Sequence, residues 1–240
     1  MTAEMQDNFF RKYLLQKGIT PGASGYLSWM PVLRYGIPMF TFDTRMKMSR
    51  TAHTSVPINP VLAARWSPRS YDTTAVLTPA DLTPAFEAAR WSPSANNSQP
   101  WRFIVGFRGD DTFNKIVPTL AGWNTAWMPN ASAIVVAIAQ TAGADGTPNP
   151  YAIYDLGQSV AHFSIQAQTD GLYVHQVAGT DVKALKEIFN LPAGFEAFVA
   201  IAVGKLAPAD LLPEPLAERE KAPRVRHELA EIVRYDAFED

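Results

Sequence analysis

The chain has 240 residues, of which 47% are hydrophobic and 18% charged, a composition typical of a folded globular protein and not of a disordered one. Its formal net charge of −2 gives no positive field, which excludes nucleic acid as a partner. The chain has no cysteine, so disulfides, thiolate metal sites and iron–sulfur clusters are excluded, and a redox function would need a bound cofactor.

Residues 1–50 are predicted to form an N-terminal extension, and residues 51–240 the main domain. The extension is rich in aromatic and basic residues but has no helical or alternating period. Its apolar stretch, Tyr26–Phe40, is interrupted by proline, glycine and arginine, so we reject a secretory signal and expect a cytoplasmic protein. Two interpretations stay open: an arm that packs on this or a partner subunit, or an upstream extension without a role, the native start being Met46 or Met48.

The first half of the main domain predicts one helix and two strands. Threonine followed by proline, at Pro79 and again at Pro84, is typical of a helix start, and this helix should end near Trp91. Two apolar runs, Phe103–Phe107 and Ala133–Ala139, are rich in strand-forming residues and predict central strands. No apolar run approaches the roughly 20 residues of a transmembrane helix, and none is predicted.

The second half predicts a buried core helix over Tyr151–Thr169, because its apolar residues follow helical spacing on nearly all sides. A helix capped by Thr180 or Asp181 follows, and then a third buried strand over Phe195–Gly204. The proline-rich residues 208–223 are interpreted as a surface connection to a final segment, residues 224–235. Together these elements predict an α+β domain, a central sheet flanked by helices.

Arg65, Ser67 and Arg69 form the first candidate binding motif. Two guanidiniums and a hydroxyl alternate along a segment that Pro68 keeps extended, which suits a dianionic phosphate. The same pattern also occurs by chance in solvated turns, so the alternative stays open.

A polar loop between two prolines, residues 92–101, forms the second candidate motif. It lies directly after the first predicted helix and directly before the first predicted strand, and its side chains are small, polar and uncharged. Such a loop can hydrogen-bond the rim of a flat heteroaromatic ring without placing charge on it. An ordinary turn rich in asparagine, serine and proline is the alternative.

The two motifs together resemble the paired signature of the FMN-dependent nitroreductase family. The resemblance spans residues 60–235 or so, and the loop that ends in Trp101 is its most specific part. Later landmarks also agree: Asn124 and Trp127 before the second strand, Gly171-Leu172-Tyr173 after the long helix, and Gly179 before the next helix.

The resemblance implies a nitroreductase-like fold, dimeric with exchanged terminal extensions, and an FMN site that exists only in the dimer. The arginine motif, with Arg224 or Arg226, would hold the FMN phosphate and ribityl chain, the polar loop would contact the isoalloxazine from the other subunit, and the backbone around Ala178-Gly179 would face the flavin N5 edge. The implied cofactor-binding residues are Arg65, Trp66, Ser67, Arg69, Pro93, Ser94, Ala95, Asn97, Gln99, Ala178, Gly179, Arg224 and Arg226.

The resemblance further implies an oxidoreductase that takes hydride from NADH or NADPH and passes electrons to a nitroaromatic, quinone or related conjugated acceptor by a ping-pong mechanism. No side chain is predicted to be catalytic. Many relatives have an acidic residue at the position of Ala178 and an aromatic one at Thr180, so substrate preference does not transfer. The alternatives are another flavin chemistry on this fold, such as dehydrogenation, dehalogenation or flavin fragmentation, or a flavin-binding module without catalysis.

Other site types find little support in the sequence. The nearest match to a hydrolase elbow, Gly157–Ala161, lies inside the predicted core helix, and the four histidines show no metal-ligand spacing. No glycine-rich dinucleotide motif is present, so NAD(P)H should dock only transiently over the flavin. His175 is a candidate for the wall of the substrate pocket.

Overall fold

The computed structural model describes residues 50–235, and within them four antiparallel strands form one sheet in the order β1-β2-β4-β3. The strands are β1 (Trp101–Phe107), β2 (Ala133–Gln140), β3 (Tyr173–Val177) and β4 (Phe195–Gly204). The helices are α1 (Pro60–Ala64), α2 (Pro79–Arg90), α3 (Asp111–Ile116), α4 (Ala152–Thr169), α5 (Val182–Ile188), α6 (Glu214–Lys221) and α7 (Leu229–Ile232). The predicted α+β class is confirmed.

Strand β2 lies in the middle of the sheet and is buried on both faces, as its unbroken apolar run predicts. On one face, Val135 and Ala137 pack with the apolar sides of α2 and α4. On the other face, Ile134 and Val136 pack with residues from α3, α5 and α6. The sheet is therefore covered by helices on both sides, and its ends carry the loops.

Helix α2 begins at Pro79, where Thr78 and Asp81 form a capping box. Pro84 lies inside this helix and does not start one. Helix α4 ends at Thr169, and Gly171 follows two residues later with a φ of +71°, which suits glycine. The Leu172 N–H bonds the Ala167 carbonyl, so β3 begins directly after the turn.

Four further predictions need correction. The strand over Phe103–Phe107 is an edge strand of the described sheet and not a central one, because β1 pairs only with β2. Strand β3 is absent from the prediction because only five residues, with a polar histidine and glutamine, form it. Helix α4 is buried on one face only, with Tyr154 71% exposed on the other.

The fourth correction concerns residues 208–223, which contain helix α6 and are more than a surface connection. Pro213 is its N-cap residue and Pro215 lies in its first turn, where a missing N–H costs nothing. Leu216 and Glu220 on this helix are almost fully buried. Prolines at the start of a helix therefore give the same sequence pattern as a proline-rich loop.

Some predictions lie outside the described residues. The extension over residues 1–50 falls there, except for Arg50, and so does the exchange of terminal segments between subunits. Of the helices in residues 50–235, none has both the length and the apolar character needed to cross a bilayer.

Candidate functional site

The segment that carries Arg65, Ser67 and Arg69 follows helix α1, whose N-terminus is capped by Asn59. The helix stops at Arg65, which has extended backbone angles, and Pro68 keeps the following residues extended. Tyr71 then forms an antiparallel bridge with Leu206, just beyond the end of β4. The arginine motif therefore lies beside the β3 edge of the sheet, at the end where β4 finishes.

Three further arginines belong to this region. Arg224 donates hydrogen bonds to the carbonyls of Arg50, Ala63 and Arg65 at 2.6–2.9 Å, so it ties the C-terminal segment to α1. The Arg50 guanidinium lies over the Trp66 ring, 4.3 Å from its centroid. We call the set Arg50, Arg65, Arg224 and Arg226 the arginine cluster.

The arginine cluster has no compensating carboxylate within 4 Å among residues 50–235. Burial, and then the charge of Arg226, lowers the pKa of Arg65. Burial lowers the pKa of Arg224 too, and the charges of Arg65, Arg226 and Arg50 add to the effect. Mutual repulsion of this kind is relieved by an anion, and a phosphate dianion matches the forks of several guanidiniums.

Arg69 differs from the arginine cluster because it has an internal partner. Its Nη1 lies 3.6 Å from a carboxylate oxygen of Glu220, which is 3% exposed. The other oxygen of Glu220 accepts hydrogen bonds from the N–H groups of Arg69 and Ser70, at 2.8 and 3.2 Å. Glu220 thereby fixes the backbone of the arginine motif, and Arg69 would share its charge between Glu220 and a ligand.

His175 supports the same motif from the sheet. Its Nδ1 lies 2.7 Å from the carbonyl oxygen of Pro68, and its ring packs against the ring of Trp127, 4.6 Å between centroids. Burial, and secondarily the charges of Arg69 and Arg65, outweigh the Pro68 hydrogen bond and lower the pKa of His175 to about 4. The ring is therefore uncharged at neutral pH.

The polar loop, residues 92–101, has a strained backbone. Asn96, Asn97 and Gln99 have φ of 52°, 55° and 46°, in the left-handed region that side chains other than glycine seldom adopt. The loop makes one 3-10 turn at Ala95–Asn97, and the Ser94 hydroxyl accepts a hydrogen bond from the Gln99 N–H at 3.1 Å. Asn97 and Gln99 are exposed, so they are accessible to a ligand or partner.

Helix α4 anchors the polar loop through two side chains. Asp155, 2% exposed, accepts a hydrogen bond from the Ala95 N–H at 3.0 Å. His162, two turns further along the same helix, lies 2.7 Å from the Ser92 hydroxyl through Nδ1. These contacts hold the strained conformation, which is the usual condition for strain to persist in a folded protein.

The segment around Gly179 follows β3. The Gly179 carbonyl accepts hydrogen bonds from the Asn124 side chain at 3.1 Å and from the Ala121 N–H at 3.0 Å. A Cβ at position 179 would lie 2.5 Å from Asn124 Nδ2, so a larger residue there would displace the Asn124 amide. Ala178 beside it is exposed, and Thr180 bonds Thr119 through its hydroxyl.

The structure brings Arg65, Trp66, Ser67, Arg69, Arg224 and Arg226 together but separates them from the polar loop. The arginines lie beside β3, where β4 ends, whereas the loop leads into β1, where β2 ends. The two groups thus occupy diagonal corners of the sheet. The six-residue offset along β2, from Ala133 to Ala139, alone corresponds to roughly 20 Å.

Three residues that shape the site were not predicted from the sequence: Arg50, Asp155 and Glu220. The contact of His175 with Pro68 was not predicted either. Arg50 belongs to the segment treated as an extension. Asp155 and Glu220 lie on helices and belong to no sequence motif. Only the fold places Asp155 behind the polar loop and Glu220 behind the arginine motif. A single acidic residue on an otherwise apolar helix face, as at Asp155, is the signal that could have found it.

The comparisons with known proteins agree with this geometry. A sequence profile of the Nitroreductase family matches residues 62–126, which include both motifs. A solved structure described as an oxidoreductase containing FMN is 30% identical, with a TM-score of 0.75, and the alignment covers 81% of this chain and 99% of that one.

Two curated proteins are also similar. An uncharacterized 15.4 kDa protein of Mycolicibacterium smegmatis is 34% identical over 139 residues, covering 55% of this chain and 92% of that protein. YdgI of Bacillus subtilis strain 168, whose name describes an NAD(P)H nitroreductase, is 32% identical over 85 residues, 35% of this chain and 40% of its own length. On the profile match, the fold and the FMN-containing relative, the chain belongs to the nitroreductase family.

Proposed function

We propose that the protein is a homodimeric FMN-dependent oxidoreductase that takes hydride from NADH or NADPH and passes electrons to a nitroaromatic, quinone or related conjugated acceptor. The observation that carries the proposal is the arginine cluster, in which four guanidiniums have no carboxylate within 4 Å among the residues described. Such a cluster is costly for the folded chain unless an anion of two charges binds there.

The arginine motif and the arginine cluster lie together at one corner of the sheet, which we call the arginine corner. Its residues fit the phosphate of FMN. Arg65 and Arg226 offer forks whose mutual repulsion a dianion would relieve, and Ser67 adds an exposed hydroxyl. Arg224 contributes charge but directs its terminal nitrogens at three carbonyls, so its main task is to hold the segment. The buried Nε of Arg50 has no hydrogen-bond partner, so part of the donor capacity of this guanidinium is unused.

The diagonal placement of the two motifs supports a site built by two copies of the chain. The five carbons of a ribityl chain span only about 6 Å at about 1.5 Å per bond. One copy cannot place the arginine cluster on the phosphate and its own polar loop on the ring, because the two corners are separated by roughly 20 Å along the strands alone. A symmetric pair can bring one corner from each copy together, twice.

Bound FMN supplies the two-electron chemistry, and the protein supplies position and electrostatics. The polar loop offers amide and hydroxyl groups without formal charge, held in place by Asp155 and His162. The backbone of Ala178 and Gly179, fixed by Asn124, would face the reacting edge of the ring. Donor and acceptor would use the same face in turn, so the kinetics should be ping-pong.

The comparisons support the cofactor and the donor. The 30% identical relative is described as containing FMN, and the name of YdgI describes an NAD(P)H nitroreductase.

The first experiment measures flavin content and electron transfer. We expect the purified protein to release FMN on denaturation, to lose its visible flavin absorption when mixed anaerobically with NADH or NADPH, and to regain it on addition of a nitroaromatic or quinone. Arg65→Ala should weaken FMN binding by about 1.5–3 kcal/mol, the loss of a charged hydrogen bond. Lys115→Ala removes an exposed charge on α3 and serves as the control. Protein without FMN that neither binds it nor is reduced would contradict the proposal.

A second experiment tests the shared site. Arg65→Ala impairs the arginine corner and Asn97→Ala the polar loop, so each variant alone should have two weakened sites per dimer. Mixed dimers of the two variants combine one intact arginine corner with one intact loop and should regain one wild-type site out of two. Flavin titration of the refolded mixture measures this recovery. A mixture that binds no more FMN than the average of its parents would contradict the two-copy arrangement.

A further inference from the structure

We propose that His175 is a positioning residue that holds the Pro68 carbonyl and thereby keeps Arg65 and Arg69 spaced to grip a phosphate. The inference rests on the proposed function, because the phosphate is that of FMN. It assigns to His175 a task that differs from lining the substrate pocket.

The donor and the acceptor of the contact between His175 and Pro68 can be assigned. A carbonyl oxygen can only accept, so the hydrogen of the neutral ring is on Nδ1, which donates to Pro68 over 2.7 Å. Pro68 itself is buried and lies between the two arginines. A bond to its carbonyl therefore fixes the middle of the arginine motif, where proline offers no N–H for a bond to the sheet.

The ring of His175 is itself held in place. It packs against Trp127, which is 1% exposed, and Trp127 stacks on Tyr71 with 6.1 Å between centroids and an interplanar angle of 20°. Tyr71 lies two residues after Arg69 and forms an antiparallel bridge with Leu206. The motif is thus attached to the sheet at Pro68 through His175 and at Tyr71 through backbone bonds, and the aromatic stack joins the two points.

A neutral donor suits this position. Burial of the ring, and then the charges of Arg69 and Arg65, favour the uncharged imidazole and lower the pKa of His175 to about 4. An ammonium or guanidinium in the same place would bond the carbonyl but repel both arginines. His175 therefore acts on the phosphate through geometry and not through its own charge.

The test compares FMN with riboflavin, which has the same ring but no phosphate. His175→Phe keeps an aromatic ring against Trp127 but removes the donor that fixes Pro68. Its Kd for FMN should rise about tenfold, because FMN binding must then itself order the two arginines. Its Kd for riboflavin should stay within about twofold of wild type, since only the phosphate grip is disturbed. His175→Asn places an amide N–H near the position of Nδ1 and should restore most of the FMN affinity.

His175→Gln provides a second variant in case His175→Phe does not fold. Its amide reaches the position of Nε2 instead of Nδ1, so it should lose FMN affinity where His175→Asn does not. Equal weakening of FMN and riboflavin, or an unchanged preference for FMN in both His175→Phe and His175→Gln, would overturn the inference. Wild-type protein that binds FMN and riboflavin equally would overturn the proposed function as well, so the two failures are distinguishable.

Discussion

The arginine corner and the polar loop are held in place by opposite physical means. At the arginine corner, like charges crowd together, and Glu220 and His175 fix the backbone from behind through hydrogen bonds. In the polar loop no charge is present, and the stored energy lies in three left-handed residues kept by Asp155 and internal bonds. The unfavourable term is charge repulsion at the arginine corner and backbone strain in the polar loop.

Under the proposed function, two unlike regions would hold one ligand. A phosphate is a small, symmetric dianion, so crowded guanidiniums can bind it strongly. A flat ring with carbonyl and N–H groups along its rim needs donors and acceptors at fixed positions, which a rigid loop provides. Single substitutions can perturb each region without touching the other.

Glu220→Ala should destabilise the arginine corner most. It leaves the N–H groups of Arg69 and Ser70 without their acceptor and Arg69 without its counter-charge, and the carboxylate is only 3% exposed. We expect a loss of about 3 kcal/mol in the free energy of unfolding, measured by urea denaturation. Glu218→Ala, exposed on the same helix, should change it by less than about 0.5 kcal/mol. Equal effects of the two variants would show that Glu220 does not hold the motif.

Acid should weaken the same corner through His175. Its pKa is lowered from 6.5 to about 4 in the folded protein, so between these values the unfolded chain binds a proton that the folded chain does not. The contribution of the neutral His175 to the free energy of unfolding is therefore present above pH 6.5. It should fall by about 2 kcal/mol by pH 4.5, and a fully buried ring would lose more, because this ring is partly accessible to solvent. His175→Phe should remove this part of the slope. A parallel pH dependence in both proteins would assign the loss to other groups.

Gln99→Gly should stabilise the polar loop by about 0.5–1 kcal/mol, since glycine adopts the φ of 46° without strain. The neighbouring Ser98 has a φ of −68°, so Ser98→Gly should instead destabilise by a similar amount, and it is the matched control. Thermal unfolding of both variants measures the difference. A destabilised Gln99→Gly would mean that the bond of its side chain to the Asn97 carbonyl outweighs the strain.

Much of the fold could be predicted from local pattern. The unbroken apolar run of β2, the capping Thr78 and the glycine after α4 each determine their element within a few residues. The failures are of another kind. Strand β3 and the edge position of β1 depend on which strands pair, and no local pattern contains that information.

The candidate site divides in the same way. Arginines and polar loop residues could be found because they form motifs along the chain. Glu220 lies 150 residues away from the Ser70 N–H that it binds, and Asp155 lies 60 residues from Ala95. Such supporting contacts follow only from tertiary structure, so the sequence predicts the residues that would face a ligand better than those that hold them.

The diagonal separation of the two corners has a consequence for cofactor retention under the two-copy proposal. A single chain could bind either the phosphate or the ring of one flavin molecule, but not both. The fraction of protein that retains flavin would therefore depend on the protein concentration. Dilution would release cofactor together with the partner chain, and added cofactor would in turn draw dilute chains together.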